Sequence, residues 1–515
     1  MTRAVPTDPA PRGANRFRRT LLNVLFASFG YVAIRLLIAP VRIKILTTLL
    51  TKEDYGLLTL IMLTVSFITL ISSLGSLEYM VRKIPGQLAD YQFGVLRTIT
   101  TYFGLIAALI AILGIGLLLI WQPDKLNLSS AHLLACGIIL VLTVHLTQLV
   151  YFLMSRSAYA QSRMLMLLYA DGWFLPLLVL MWAVEVTVGF MLWLWAVWLV
   201  VSLVVSQVWV RTRELLRRAP SRRQFREIVG FGVPLLPMIM GEWIFQMQDR
   251  YVLLAFTDLE ALANFTLCFN IAWVGVSTGG TLLDVLITEF YKMRNRAASL
   301  EFRVLMADPD LRHSFTMIVR YTVLISVPIS AALWFGYMPI VLLLSDPKFA
   351  DAASIMRWVA PIPILFLLVN ISGRTLIAVD RGRVVGSAAL VAAVMHLSLS
   401  IYLAPRMAER GVALASCIAY GFLALYLGIR VRFLQWINWR ILRPKRLVAF
   451  CALTMLGFYG SVTYLPGHAL LALATGGGIS LLAIAALGLV RKSDLQHLVQ
   501  SVQYRAEQEE HPPPA

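Results

Sequence analysis

The chain has 515 residues, 59% of them hydrophobic and only 14% charged, with a mean hydropathy of +0.77. Soluble domains average about 25% charged and 45–50% apolar residues, so this composition excludes an ordinary water-soluble fold, and the length excludes a single anchor. The net charge of +18 would point to nucleic acid in a soluble protein, yet no basic segment interleaves the aromatics on which single strands stack; here it reads as basic residues gathered on the loops of one membrane side.

A spanning helix needs roughly 20 apolar residues and satisfies its own backbone in lipid. The apolar runs are continuous rather than ten-residue alternations, which argues against an outer-membrane barrel. A polar arm at 1–20 carries five arginines. Apolar runs follow at about 21–50, 57–81, 98–121, 131–153, 164–184 and 190–210, then a basic segment at 211–229. A second set lies at about 230–257, 261–290, 314–345, 354–378, 384–404 and 411–433. Two more runs, at about 447–466 and 468–490, precede a polar tail at 491–515. The expectation is an all-α integral membrane protein with about 14 transmembrane helices. Spans 1–6 fill an N-lobe at 21–210, spans 7–12 a C-lobe at 230–435, and a C-terminal helix pair occupies 436–490.

Loop charge tests that count. With the N-terminus inside, the inside turns collect Arg82 and Lys83, Arg156 and Arg163, seven arginines within 211–226, five basic residues within 292–312, Arg381 and Arg383, and six more within 430–446. The outside turns hold only Lys52, Lys125, Lys348, Arg406 and Arg410. Removing one helix would invert the bias downstream, so the count and the cytoplasmic placement of both termini support each other. A faint repeat, Arg156-Ser-Ala-Tyr-Ala-Gln-Ser-Arg163 against Arg374-Thr-Leu-Ile-Ala-Val-Asp-Arg381, recurs six spans apart. An even separation predicts two parallel, pseudo-symmetric six-helix lobes. The four cysteines sit singly in apolar runs and the seven histidines show no ligand spacing, so neither a disulfide framework nor a metal site is expected. No signal peptide is expected, because the first apolar run follows a polar arm and exceeds an h-region in length.

Several segments, in their order and spacing, resemble the polysaccharide transporter family: Phe29-Gly30 through Thr51-Lys-Glu-Asp-Tyr-Gly56, Gly232-Val-Pro-Leu-Leu-Pro237, Asp249-Arg250-Tyr251, Phe349-Ala-Asp-Ala-Ala and Gly411-Val-Ala-Leu-Ala-Ser416. The resemblance covers about 20–435. It departs from the family at Ala263-Asn264-Phe265 and at Ile287-Thr-Glu-Phe-Tyr291, which bears on substrate detail more than on fold. It implies an O-antigen-type flippase of the multidrug/oligosaccharidyl-lipid/polysaccharide exporter superfamily. Such a protein moves undecaprenyl-pyrophosphate-linked oligosaccharide repeat units across the bacterial inner membrane for surface or exopolysaccharide synthesis. The partners implied are that lipid-linked substrate, membrane lipids, an H⁺ or Na⁺ coupling ion, and a polysaccharide polymerase or ligase; no cofactor and no nucleic acid is implied.

Charges at bilayer depth are costly and mark functional candidates. Arg35 lies mid-span and Arg42 shares its helical face seven residues on, with Pro40 between them and Lys44 nearer the outer end. In span 7, Glu242, Gln246 and Asp249 share a face, with Arg250 beside it. Registering the two lobes at Gly56 and Ala263 pairs Arg35 with Glu242 and Arg42 with Asp249. The arginines are expected to hold the pyrophosphate of the carrier, since the guanidinium fork fits phosphate oxygens, and the carboxylates to take up the coupling ion. Arg320, Arg357 and, as an acid, Asp284 are further candidates. The plainer readings are static interhelical ion pairs, snorkelling to an interface for Arg42, Lys44 and Arg320, a pair with Asp346 or Asp351 for Arg357, and contact with basic cytoplasmic turns for Asp284. Glu78 and Asp171 read as structural polars. Gly476-Gly477-Gly478 in the last pair reads equally as a groove for a lipid tail or as simple packing. No catalytic residue is expected, because the outer loops are too short for a glycan polymerase or ligase, and no Walker motif is present. The rival readings are a multidrug exporter of the same fold, which would show carboxylates without a cationic cleft, and a membrane component of a polysaccharide synthase or secretion complex.

Overall fold

A computed structural model describes residues 12–490 except 86, 122–127, 157, 211–214, 216, 297–307, 380 and 466. Its helices are α1 (Arg12–Leu49), α2 (Lys52–Ser72), α3 (Ser76–Lys83), α4 (Ala89–Trp121), α5 (Ser130–Ser155), α6 (Tyr159–Asp171), α7 (Phe174–Leu180) and α8 (Val188–Val210). They continue with α9 (Arg222–Gly232), α10 (Leu236–Phe256), α11 (Leu259–Arg296), α12 (Pro309–Phe335), α13 (Tyr337–Leu344), α14 (Ala353–Val359), α15 (Ile362–Ala378) and α16 (Gly382–Arg430). Two single turns, α17 (Phe433–Trp436) and α18 (Trp439–Leu442), lead to α19 (Pro444–Tyr464) and α20 (Ala469–Ala486). There is no strand among the described residues. Each apolar run read from the sequence falls on helix, as lipid requires of a backbone that must bond to itself.

Ten of these helices are long and apolar enough to cross a membrane, or eleven if α6 and α7, bent by 42° at their break, form one span. The expected fourteen are not recovered by that measure, for identifiable reasons. The side chains of α1 before residue 30 lie outside those described. Helix α10 carries three charged residues, Glu242, Asp249 and Arg250. Helix α16, at 49 residues, contains non-helical backbone at Ala408 (φ 47°, ψ −129°). A straight helix of that length would reach about 74 Å, but His396 bonds to Ser416 at 3.1 Å, so its two arms lie side by side as a hairpin.

Local chemistry explains the breaks that matter. Thr51 caps α2, its side chain accepting from the Asp54 N–H, and Glu53 and Asp54 meet the positive end of the helix; this is the physical content of the Thr-Lys-Glu-Asp segment. Helix α2 ends in two left-handed residues, Leu74 and Gly75, where the N-terminal half touches the C-terminal half. A Cβ on Gly232 would lie 1.8 Å from the Leu74 carbonyl oxygen, so two backbones meet directly. Gly232→Ala should therefore lower stability by about 1–3 kcal/mol, the usual cost of overpacking, read as a lower unfolding temperature of the purified protein; an unchanged temperature would show that the halves can part there freely.

At the other end of α2, a Cβ on Gly56 would lie 2.3 Å from the Leu259 carbonyl oxygen and 3.4 Å from the Ala263 Cβ. The positions used to register the two halves are thus in contact. One large apolar core runs through both halves. The last pair packs on α12 through a separate small cluster of Leu324, Val327, Phe450, Ala483 and Leu489. Within that pair Gly476 faces the Phe458 ring and Gly457 faces Ile479, close packing of the kind small residues permit between membrane helices.

Candidate functional site

Helices α1, α2, α10 and α11 enclose a cavity of about 450 Å³, lined by Arg35 and Arg42 from α1, Thr59 and Ser66 from α2, Arg250 from α10 and Asn270 from α11. No Asp or Glu lines it among the described residues. Three of the arginines read from the sequence are thus brought to one place.

The two α1 arginines share a counter-ion. Asp171 lies 3.1 Å from Arg35 Nε and 2.6 Å from Arg42 Nη1, and its side chain is only 4% exposed. It ends α6, where Gly172 leads into the bend before α7. A carboxylate at the negative end of a helix is poorly placed by itself; two guanidiniums offset that. Arg35 also donates to the Tyr31 hydroxyl at 3.0 Å. Arg250 is buried, with its guanidinium 4.2 Å from the centre of the Phe269 ring and 5.5 Å from that of Phe265, a position in which ring faces stabilise a cation.

The expected pairing of Arg42 with Asp249 is wrong. Asp249 and Arg250 are adjacent, hence about 100° apart around α10. Arg250 faces the cavity while Asp249 points into the C-terminal half, 2.8 Å from His396 Nε2 and accepting from Ser416 at 2.9 Å. The side chains of Glu242, the other expected partner, and of Asp284 lie outside those described.

The remaining candidates stand away from the cavity lining. Lys44 donates to the Leu342 and Ser345 carbonyls at 3.2 and 2.5 Å, capping the end of α13 as cations do. It belongs to a seam between the halves. There the Asp346 N–H donates to Thr47 at 3.1 Å, Lys348 donates to the Thr48 carbonyl at 3.4 Å, and Lys52 lies 3.3 Å from Asp351 and 3.8 Å from Glu260. Arg320 is buried and donates to the Ile441 carbonyl at 3.3 Å, where Arg312 and Thr316 of the same helix face also bind residues 437–438. It pins the connector to the last helix pair. Arg357 lies 3.9 Å from the centre of the Tyr337 ring.

Sequence reasoning missed Asp171 as a partner, although an Asp-Gly step inside an apolar run is both a turn signal and an acid in need of a cation. It also missed His396, which no local pattern marks, and the role of Ser416, which ends the Gly411–Ser416 segment but meets Asp249 only through the α16 hairpin.

A sequence-family profile described as "Polysaccharide biosynthesis protein" matches residues 45–354. No curated protein sequence matches significantly. Among solved structures, the chain is similar to the lipid II flippase MurJ in an inward closed conformation, with a TM-score of 0.67 and 12% identity over 90% of this chain and 98% of that one. It is also similar to a multidrug resistance MATE family transporter of the MOP superfamily. The outward-facing form gives a TM-score of 0.55 and 12% identity over 83% of this chain and 98% of that one. The inward-facing form gives 0.55 and 11%, over 83% and 96%. At such identities the likeness is one of fold.

Proposed function

Because this chain belongs to the polysaccharide biosynthesis protein family, we propose that it is a flippase for undecaprenyl-pyrophosphate-linked oligosaccharide repeat units, working by alternating access in the bacterial inner membrane. The observation that carries this reading is the cavity: three guanidiniums against one carboxylate, with no Asp or Glu in the described lining. Such a site favours an anion, and its volume of about 450 Å³ suits a pyrophosphate with its first sugars rather than a whole lipid. A cationic drug would meet the wrong sign of charge, which weighs against the multidrug reading.

The residues take roles by position. Arg35 and Arg42 exchange Asp171 for phosphate oxygens as the head group arrives, and Asp171 takes them back when it leaves. Arg250 holds the opposite wall. The charge bias of the turns supports N- and C-termini on the cytoplasmic side; in that orientation the seam of Lys44, Thr47, Thr48 and Lys52 closes the outer side. Outward opening then requires those bonds between the halves to break, while Gly75 and Gly232 close the inner side. The cycle is ion-coupled, with Asp249 in the coupling apparatus.

Deleting the gene should make lipid-linked repeat units accumulate on the inner leaflet, and restoring it should clear them. Normal surface polysaccharide without such accumulation would overturn the reading.

A further inference from the structure

In the orientation proposed above, the outer end of the C-terminal half holds a second cavity, of about 630 Å³. Its walls come from the end of α10, the start of α11, the turn Pro347–Ala352 with α14, and the 404–410 break of the α16 hairpin. Helix α11 divides it from the central cavity. Asn264 lines the outer cavity, while Thr266, two residues on and so about 200° round the helix, lines the central one.

Three segments marked in the sequence converge here: Ala263-Asn264-Phe265, Phe349-Ala-Asp-Ala-Ala, and the stretch running into Gly411. Specific bonds hold the walls together. Cys268 of α11 donates to the Ala352 carbonyl at 3.0 Å, and Arg410 donates to the Ser354 hydroxyl at 3.2 Å. A Cβ on Gly411 would lie 2.6 Å from the Leu403 carbonyl oxygen, so the hairpin closes on bare backbone. Asp351, which borders the cavity, also lies 3.3 Å from Lys52, which sets the cavity beside the outer seam.

The lining selects a kind of ligand. Asn264 is 7% exposed, and its Oδ1 has no hydrogen-bond partner, a costly state for a buried amide. Asp351 and Glu409 border the cavity with Arg406 and Arg410. Two charges of each sign favour neither an anion nor a cation, and Arg406 is turned onto its own helix, donating to the Tyr402 carbonyl at 2.5 Å. No group of three or more His, Cys, Asp or Glu side chains placed to hold a metal occurs among the described residues. What suits this set is a neutral molecule whose hydroxyls both donate to carboxylates and accept from Arg410 and the Asn264 amide. Phe256, the last residue of α10, lines the same cavity while 47% exposed, and offers an apolar ring face. A pyranose joins the two properties, with hydroxyls around its edge and C–H groups on its faces.

We propose that the outer cavity is a saccharide-binding site, with Phe256 as the platform for a sugar face and Asn264, Asp351, Glu409 and Arg410 as partners of its hydroxyls. The site is separate from the central cavity and stands whether or not that cavity carries a lipid-linked sugar.

Saturation-transfer NMR on the full chain in lipid nanodiscs tests this. The probes are cellobiose, N,N′-diacetylchitobiose and the oligosaccharide released from the host's own surface polysaccharide, of which at least one should bind saturably. Phe256→Ala and Asn264→Leu should each weaken that binding about fivefold, through loss of one ring face or one hydrogen bond, while Arg250→Ala leaves it unchanged. Asn264→Leu should also hold or raise the unfolding temperature of the free protein, because it removes a buried oxygen without a partner. A lower temperature with unchanged binding would overturn the assignment of Asn264. Phe256 is exposed, so its replacement keeps the test open should Asn264→Leu fail to fold. Binding of the free oligosaccharide marks finished glycan as the source, and binding of its undecaprenyl-pyrophosphate form alone marks the carried repeat unit; in either case Phe256→Ala must weaken it. No saturable binding of any probe, as expected of a cavity that holds water alone, would overturn the proposal. So would binding that Arg250→Ala abolishes and both outer variants spare. None of these measurements involves transport, so a failure here leaves the transport reading standing.

Discussion

Changing Asp171 to Asn is expected to lower the stability of the folded protein by about 3 kcal/mol, at the low end of the 3–5 kcal/mol typical when one member of a buried ion pair is removed. The low end applies because Arg35 is 43% and Arg42 20% exposed, while Asp171 is 4% exposed. The loss should appear as an earlier unfolding transition in a denaturing-detergent titration. Adding Arg42→Gln to Asp171→Asn should recover part of it, because the second change removes the charge that the first left unmatched. The same substitution should tighten inorganic pyrophosphate binding while slowing transport, since the group that competes for the two arginines is gone. Unchanged stability and unchanged pyrophosphate affinity together would show that Asp171 is a bystander.

Arg250→Ala should reduce transport roughly 10- to 150-fold, from the loss of one charge-assisted bond to phosphate at about 1.5–3 kcal/mol. Stability should hold or rise, because burying a cation is itself costly. Lysine should rescue poorly: its ammonium is a point charge without the planar fork, and it stacks less well on Phe269. Transport by Arg250→Ala at the wild-type rate, with the protein inserted and folded, would remove Arg250 from the site.

Much of the architecture was legible because lipid leaves a helix few alternatives. Each apolar run became helix, and Arg35, Arg42 and Arg250 met in one cavity as charges inside a bundle tend to. What was not legible depends on angles and long-range contacts. Asp249 and Arg250 are one residue apart, yet face different surroundings, and sharing a helix did not say which of them faces the cleft. Lys44 was a substrate-ligand candidate with snorkelling as its plainer reading; only the approach of α13 shows its carbonyl partners. Arg320 similarly proved to be the anchor of a connector. Asp171 went unread as a counter-ion because its partners stand more than a hundred residues earlier.

The most direct test of the central claim is leaflet exchange by the purified chain in proteoliposomes. A labelled undecaprenyl-pyrophosphate oligosaccharide should move between leaflets at a rate that depends on Arg35, Arg42 and Arg250, and inorganic pyrophosphate should inhibit it. Failure of the folded protein to move that lipid, alongside transport of a cationic drug insensitive to the three arginines, would contradict the account.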